Sequence, residues 1–171
     1  ETQLSLLEHR LNYYCERRHN MKIGIIGGGA WGTTLGQTLI DNGHQVLVYD
    51  LNPFAVDKIN SHLHPFFDTV LPESEKATLN LNEVIDFADM LLLSVPTKAV
   101  RSVLKEINAL LNKKMTFINV SKGIEPETLK RVSEIVEEEI SPEYLQGFIV
   151  LTGPSHAEEV IIRKLTLLVS S

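Results

Sequence analysis

Lys22-Ile23-Gly24-Ile25-Ile26-Gly27-Gly28-Gly29-Ala30-Trp31-Gly32 is the stretch that decides the fold. An apolar run ends in glycines at 27, 29 and 32, the pattern G-x-G-x-x-G, and a helical segment follows it. The pattern carries meaning when it leaves a strand and opens a helix, and here it does both. Gly27 permits a tight turn out of the strand. Gly29 has no side chain, so a pyrophosphate can approach the backbone, and Gly32 lets the helix pack close to the strand. The first N–H groups of a helix have no partner within it and attract an anion.

Outward from this turn the chain alternates. Further strand candidates are Gln45–Asp50, Met90–Val95, Met115–Val120 and Phe148–Thr152, with a weaker one at Leu165–Val169. The first four are continuous apolar runs, as expected of strands covered on both faces of a parallel sheet. Helix signals lie between them. Asn42-Gly43 ends the first helix, Asn52-Pro53 opens the second, and Thr97 is placed to cap a helix through Leu111. Glu125-Pro126 is expected to open one running to about Ile140, whereas Ser61 to Leu79 reads as irregular. The expected fold is α/β: a Rossmann-type doubly wound, mostly parallel sheet with helices on both faces. Met21 is the expected native start of a dinucleotide-binding domain over residues 21–171. Residues 1–20 read as a leader, tag or N-terminal extension; Leu4, Leu7, Leu11 and Tyr14 would share one face of a helix there.

The bulk properties narrow the function. With 16 Lys+Arg against 22 Asp+Glu the net charge is −6, which disfavours non-specific binding to nucleic acid or an anionic membrane. An anionic ligand must then be held by local donors. Cys15 is the only cysteine, so no internal disulfide forms, and a cytoplasmic location is expected. No apolar run is long enough to span a bilayer.

Asp50 closes the second strand eighteen positions after Gly32. An acid there accepts hydrogen bonds from the adenosine ribose and repels the 2′-phosphate of NADP, so NAD is favoured over NADP; the alternative is a carboxylate that caps the following turn. Ala30 and Trp31 lie in the first helical turn, where Trp31 is either core or a cofactor contact. Three later loops follow strand ends, where open parallel sheets bind ligands: Ser94-Val95-Pro96-Thr97, Val120–Pro126 and Thr152–Glu159. Lys122 is a cation suited to a phosphate or a developing alkoxide. Gly153-Pro154 before a helix would leave free N–H groups for an anion. Ser155-His156 is no nucleophile pair, because sequence neighbours point apart. His62 and His64 read as solvated loop histidines, and no metal site is expected.

Gly27 to Thr33, Val120-Ser121-Lys122-Gly123-Ile124-Glu125-Pro126 and Gly153-Pro154-Ser155-His156-Ala157-Glu158-Glu159 together resemble the bacterial NAD(P)-dependent glycerol-3-phosphate dehydrogenases. The resemblance covers nearly all of residues 22–171. It implies interconversion of dihydroxyacetone phosphate and sn-glycerol 3-phosphate for phospholipid synthesis. It implies cofactor contacts at Trp31, Lys122 and Ala157, and substrate contacts at Lys122, Gly153 and Ser155. It also implies a helical domain after Ser171 that carries the general acid/base lysine, and hence a fragment with little activity of its own. The expected ligands are small molecules; a homodimer is one assembly the sequence allows. Two departures stand out. Leu51 occupies a position where NADP users often carry a basic or imidazole side chain. Arg163-Lys164-Leu165-Thr166 lacks a proline common before the threonine. A non-catalytic nucleotide-sensing module and another Rossmann dehydrogenase are the alternatives.

Overall fold

The computed structural model describes residues 20–164, 166 and 168–171. The reading of the N-terminal stretch as a leader or extension therefore falls outside the described residues, apart from Asn20.

Among the described residues seven strands form one sheet in the order β3-β2-β1-β4-β5-β6-β7. They are β1 (Lys22–Ile26), β2 (Gln45–Tyr49), β3 (Lys76–Thr78), β4 (Met90–Leu93), β5 (Met115–Asn119), β6 (Leu145–Thr152) and β7 (Val169–Ser170). Pairing is parallel from β3 through β6, with Ile25 opposite Val48 on one side and Leu92 on the other. The strand order reverses beside β1, and a crevice opens there at the carboxyl ends of the strands. The expected doubly wound α/β fold is the observed one.

Among the described residues six helices connect the strands: α1 (Ala30–Asp41), α2 (Pro53–Asn60), α3 (Leu81–Phe87), α4 (Thr97–Leu110), α5 (Val132–Glu139) and the short α6 (Ala157–Val160). Strand alternation divides the core between the two faces. Ile23, Ile25, Val46 and Val48 pack with Leu35 of α1 and with Val56 and Ile59 of α2. Leu91, Leu93 and Phe117 pack with Val84 of α3, Leu104 and Ile107 of α4, and Ile135 of α5. Because both faces are covered, the strands read as unbroken apolar runs. Asn52 caps α2 as expected, accepting from Phe54 N at 3.0 Å with Pro53 in the first turn. Gly43 takes φ +86° after α1.

Several boundaries depart from the sequence reading. Thr97 does not cap α4: Pro96 occupies that position, and the Thr97 hydroxyl donates to Lys122 O at 2.7 Å. The helix expected from Glu125 begins only at Val132. Residues 125–130 instead form a turn closed by Glu125 N to Lys130 O at 2.9 Å, with Leu129 at φ 59°. Arg101 draws Glu125 into a bidentate pair, both bonds 2.8 Å. Glu134 accepts from Arg131 N at 2.9 Å and starts the helix there, as a carboxylate three residues into a helix does. Two elements, β3 and α3, have no counterpart in the sequence reading; both are short, and β3 lies inside the stretch read as irregular. The last strand is Val169–Ser170 and runs antiparallel to β6; Leu165 and Leu167, in the expected Leu165–Val169, lie outside the described residues.

Candidate functional site at the carboxyl edge of the sheet

The glycine turn is built by contact. Gly27 sits at φ +110° and donates to Tyr49 O at 2.8 Å, and a Cβ on it would lie 2.6 Å from Ser94 O. A Cβ on Gly32 would lie 2.0 Å from Gly27 O, so α1 crosses the end of β1 closer than any side chain allows. Gly29 differs: a Cβ there would meet nothing within 4 Å. Packing excludes side chains at 27 and 32, whereas at 29 the space is free for a ligand. Gly29 is the N-cap of α1, makes no side-chain capping bond, and no acid occupies the first turn. The helix start therefore offers donors and positive potential to an anion such as a pyrophosphate. The residues present fit the dinucleotide that the sequence implies.

Of the two roles weighed for Asp50, the structure carries the turn cap. Its Oδ2 accepts from Gly28 N at 2.7 Å and its Oδ1 from Asn52 N at 2.8 Å. It thus caps the turn after β2 and ties that turn to the glycine loop. Each oxygen keeps acceptor capacity for a ribose hydroxyl.

Three clefts line the carboxyl edge. One of about 230 Å³, beside β2, is walled by Gly27, Asp50, Leu51, Val95, Pro96 and residues of α4. A second, about 420 Å³, includes Gly29, Ala30, Trp31, Lys122, Ser155 and Ala157. The third, about 570 Å³, shares Trp31, Lys122 and Ser155 and adds Gly153 and Arg131. Every sequence-named site residue lines this row except Gly32, whose task is packing. Trp31 is half-buried; it packs against the core and also stands at both larger clefts. Lys122 Nζ donates to the carbonyl of buried Ser155 at 3.3 Å, which joins the β5 and β6 loops. Ser121 Oγ donates to Val95 O at 2.7 Å and links the β4 loop to them.

Two expectations fail here. The helix after Gly153-Pro154 starts only at Ala157, is four residues long, and carries Glu158 and Glu159 in its first turn. Those acids oppose an anion, so the expected helix-start anion site at Gly153-Pro154 is not formed. His64 is not solvated: it is 3% exposed. Its Nδ1 accepts from Phe66 N and Phe67 N, each at 3.1 Å, which places the proton on Nε2. Nε2 lies 3.3 Å from both Ala30 O and Thr34 Oγ1, and donates there. His64 thereby fastens the loop before β3 to the first turn of α1. Burial holds its pKa below the ordinary histidine value. The sequence signal was the apolar setting Pro65-Phe66-Phe67. Among the described residues no group of three or more His, Cys, Asp or Glu is placed to hold a metal, and no helix is long and apolar enough to cross a membrane.

A doubly wound sheet with an uncapped, side-chain-free helix start at its switch point defines the class of Rossmann-type domains. Within that class, the family model for the NAD-dependent glycerol-3-phosphate dehydrogenase N-terminus matches residues 22–171. The chain belongs to that family. A glycerol-3-phosphate dehydrogenase [NAD(P)+] of Acholeplasma laidlawii is 63% identical over 151 residues, covering 88% of this chain and 45% of the relative. The enzyme of the same name from Phytoplasma mali is 48% identical over the same length, with the same shares covered. The chain thus spans about half the length of the curated relatives it matches. In fold it is similar to a glycerol-3-phosphate dehydrogenase from Coxiella burnetii, with TM-score 0.74 at 24% identity over 87% of this chain and 46% of that one.

Proposed function

We propose that this chain is the cofactor-binding part of an NAD(P)-dependent glycerol-3-phosphate dehydrogenase, which interconverts sn-glycerol 3-phosphate and dihydroxyacetone phosphate. The observation that carries the reading is Gly29, the one glycine of the motif whose missing side chain leaves open space and not a packing contact. The family match supports the reaction.

The nicotinamide supplies a hydride acceptor or donor when bound. The chain's own residues do the rest. Amides at the start of α1 hold the pyrophosphate. Asp50 accepts from the adenosine ribose, and with the neutral Leu51 beside it NAD is preferred. Trp31 and Ala157 flank the central cleft. Lys122, tethered to the Ser155 carbonyl, brings positive charge to the border of the two larger clefts, where it orients a phosphate or carbonyl oxygen. Gly153 and Ser155 shape the substrate side. The general acid/base belongs to the part of the relatives' length that this chain does not span, so the chain alone binds cofactor and turns over little. The full protein acts on small molecules in the cytoplasm and feeds phospholipid synthesis.

Two glycine variants test the reading together. Gly29→Val should fold normally and lose at least about tenfold in NADH affinity, read by Trp31 quenching and calorimetry. Gly32→Ala should fail to fold, because of the 2.0 Å overlap. NADH affinity unchanged in folded Gly29→Val would remove the cradle, and with it the function.

A further inference from the structure

We propose that Glu106 is a specificity residue of the cofactor site: its carboxylate reads the exocyclic amine of the adenine base. The inference rests on the dinucleotide reading above and deepens it.

The smallest of the three clefts lies on the β2 side of the glycine turn, next to Asp50, and so belongs to the adenosine half of the cofactor. Its walls are mostly apolar. Leu51, which is 80% exposed, stands on one side, and Val95, Pro96, Ala99 and Val103 on the other. Apolar walls suit the faces of a flat base, but they do not distinguish one base from another. Distinction requires polar groups at the ring edge, and the cleft has few. Ala99, Ser102, Val103 and Glu106 recur at the three- and four-residue spacing of one α4 face. Glu106 therefore stands two turns along that helix from Ala99, away from the loop that holds Pro96.

Tyr49 marks the same depth. It is the last residue of β2, packs into the core on the α4 side and lines the cleft. Burial, then the charge of Glu106, then that of Asp50 raise the Tyr49 phenol above its ordinary pKa. Tyr49, Asp50 and Glu106 all line this one cleft. Asp50 is already engaged by Gly28 N and Asn52 N at the ribose end. Ser102, on the same face, spends its hydroxyl proton on Ala99 O at 2.9 Å. That leaves Glu106 as the charged acceptor and Tyr49 as a donor for the base. Adenine presents an amine donor next to a ring-nitrogen acceptor. Hypoxanthine reverses both, setting a carbonyl oxygen against the carboxylate. A site with paired polar groups rejects an analogue that leaves them unmatched.

The test uses the 171-residue chain and three titrants: NADH, its hypoxanthine analogue (reduced nicotinamide hypoxanthine dinucleotide) and NADPH. The wild type should bind NADH at least about tenfold more tightly than the hypoxanthine analogue, as expected of one hydrogen bond to a charged acceptor. Glu106→Gln, whose amide both donates and accepts, should bring that ratio to within about twofold of unity. The NADH-to-NADPH ratio should stay where it was. Glu106 is exposed, so the variant folds, and an unchanged melting curve checks this. NADH binding with no base preference in the wild type, or a preference that survives Glu106→Gln, overturns the proposal and leaves the dinucleotide reading intact. A collapse of the NADPH ratio in its place also overturns it, since Glu106 would then act on the 2′ position. Folded wild type that binds none of the three overturns the dinucleotide reading itself.

Discussion

Replacing Glu75 with glutamine should make the protein markedly more stable above neutral pH and change it little in acid. Glu75 lies just before β3 beneath α1 and is fully buried. A Cβ on Gly36 would lie 2.3 Å from its Oε1, so the carboxyl fills the space that this helical glycine leaves. Among the described residues neither oxygen has a hydrogen-bond partner. Burial, and secondarily the charge of Asp41, push the carboxyl up to about 8 from an ordinary 4.5. At pH values under 4.5 both folded and unfolded chains hold the proton. From there to about 8 only the folded chain holds it, so stability falls as pH rises. Past 8 the loss is complete. The gap of about 3.5 pH units, at about 1.4 kcal/mol each, amounts to roughly 5 kcal/mol in full and roughly 3 at pH 7. This is a large share of an ordinary domain's stability. Glutamine keeps the shape and removes the titration. Urea unfolding of both proteins from pH 5 to 9 measures it: the difference in midpoint should open steadily and reach about 2 M, given usual urea slopes. Parallel pH profiles would mean that Glu75 is ionised in the fold, with water reaching it, and the burial argument would be wrong.

Other outcomes follow from the site. His64→Ala should cost about 1–3 kcal/mol, because two loop amides lose their acceptor. The depressed histidine pKa favours the neutral ring in the fold, so its contribution is present above about 6.5 and lost as pH falls; melting temperatures across pH 5–8 should show the variant's acid sensitivity reduced. Asp50→Ser should shift the NADH-to-NADPH affinity ratio at least about tenfold toward NADPH by calorimetry, and an unaltered ratio would take the ribose role from Asp50. Lys122→Ala in the full-length enzyme should lower kcat/KM about 100-fold or more, whereas wild-type kinetics would make the lysine a loop tether to Ser155 and nothing else.

Sequence by itself determined where the main strands lie along the chain, the mostly parallel doubly wound sheet and the place of the glycine turn. Continuous apolar runs separated by helical periods have one economical packing, with both sheet faces covered, and Gly27, Gly29 and Gly32 sit where strand becomes helix. Asp50, Lys122 and the Gly153–Ala157 loop were legible because each follows a strand end, and parallel strands bring their carboxyl ends together. Tertiary structure decided the rest. The start of α5 depends on Arg101, a chain-distant partner that holds Glu125 in a turn and brings its carboxyl down to about 2. His64 and Glu75 look like surface polar residues in one dimension, and only the packing of α1 over the 61–75 segment buries them. Glu106 is an unremarkable helical acid until α4 brings it to the cleft that Tyr49 also lines. Local pattern fixes the direction of a backbone through its own hydrogen bonds, but the environment of a side chain depends on residues far along the chain.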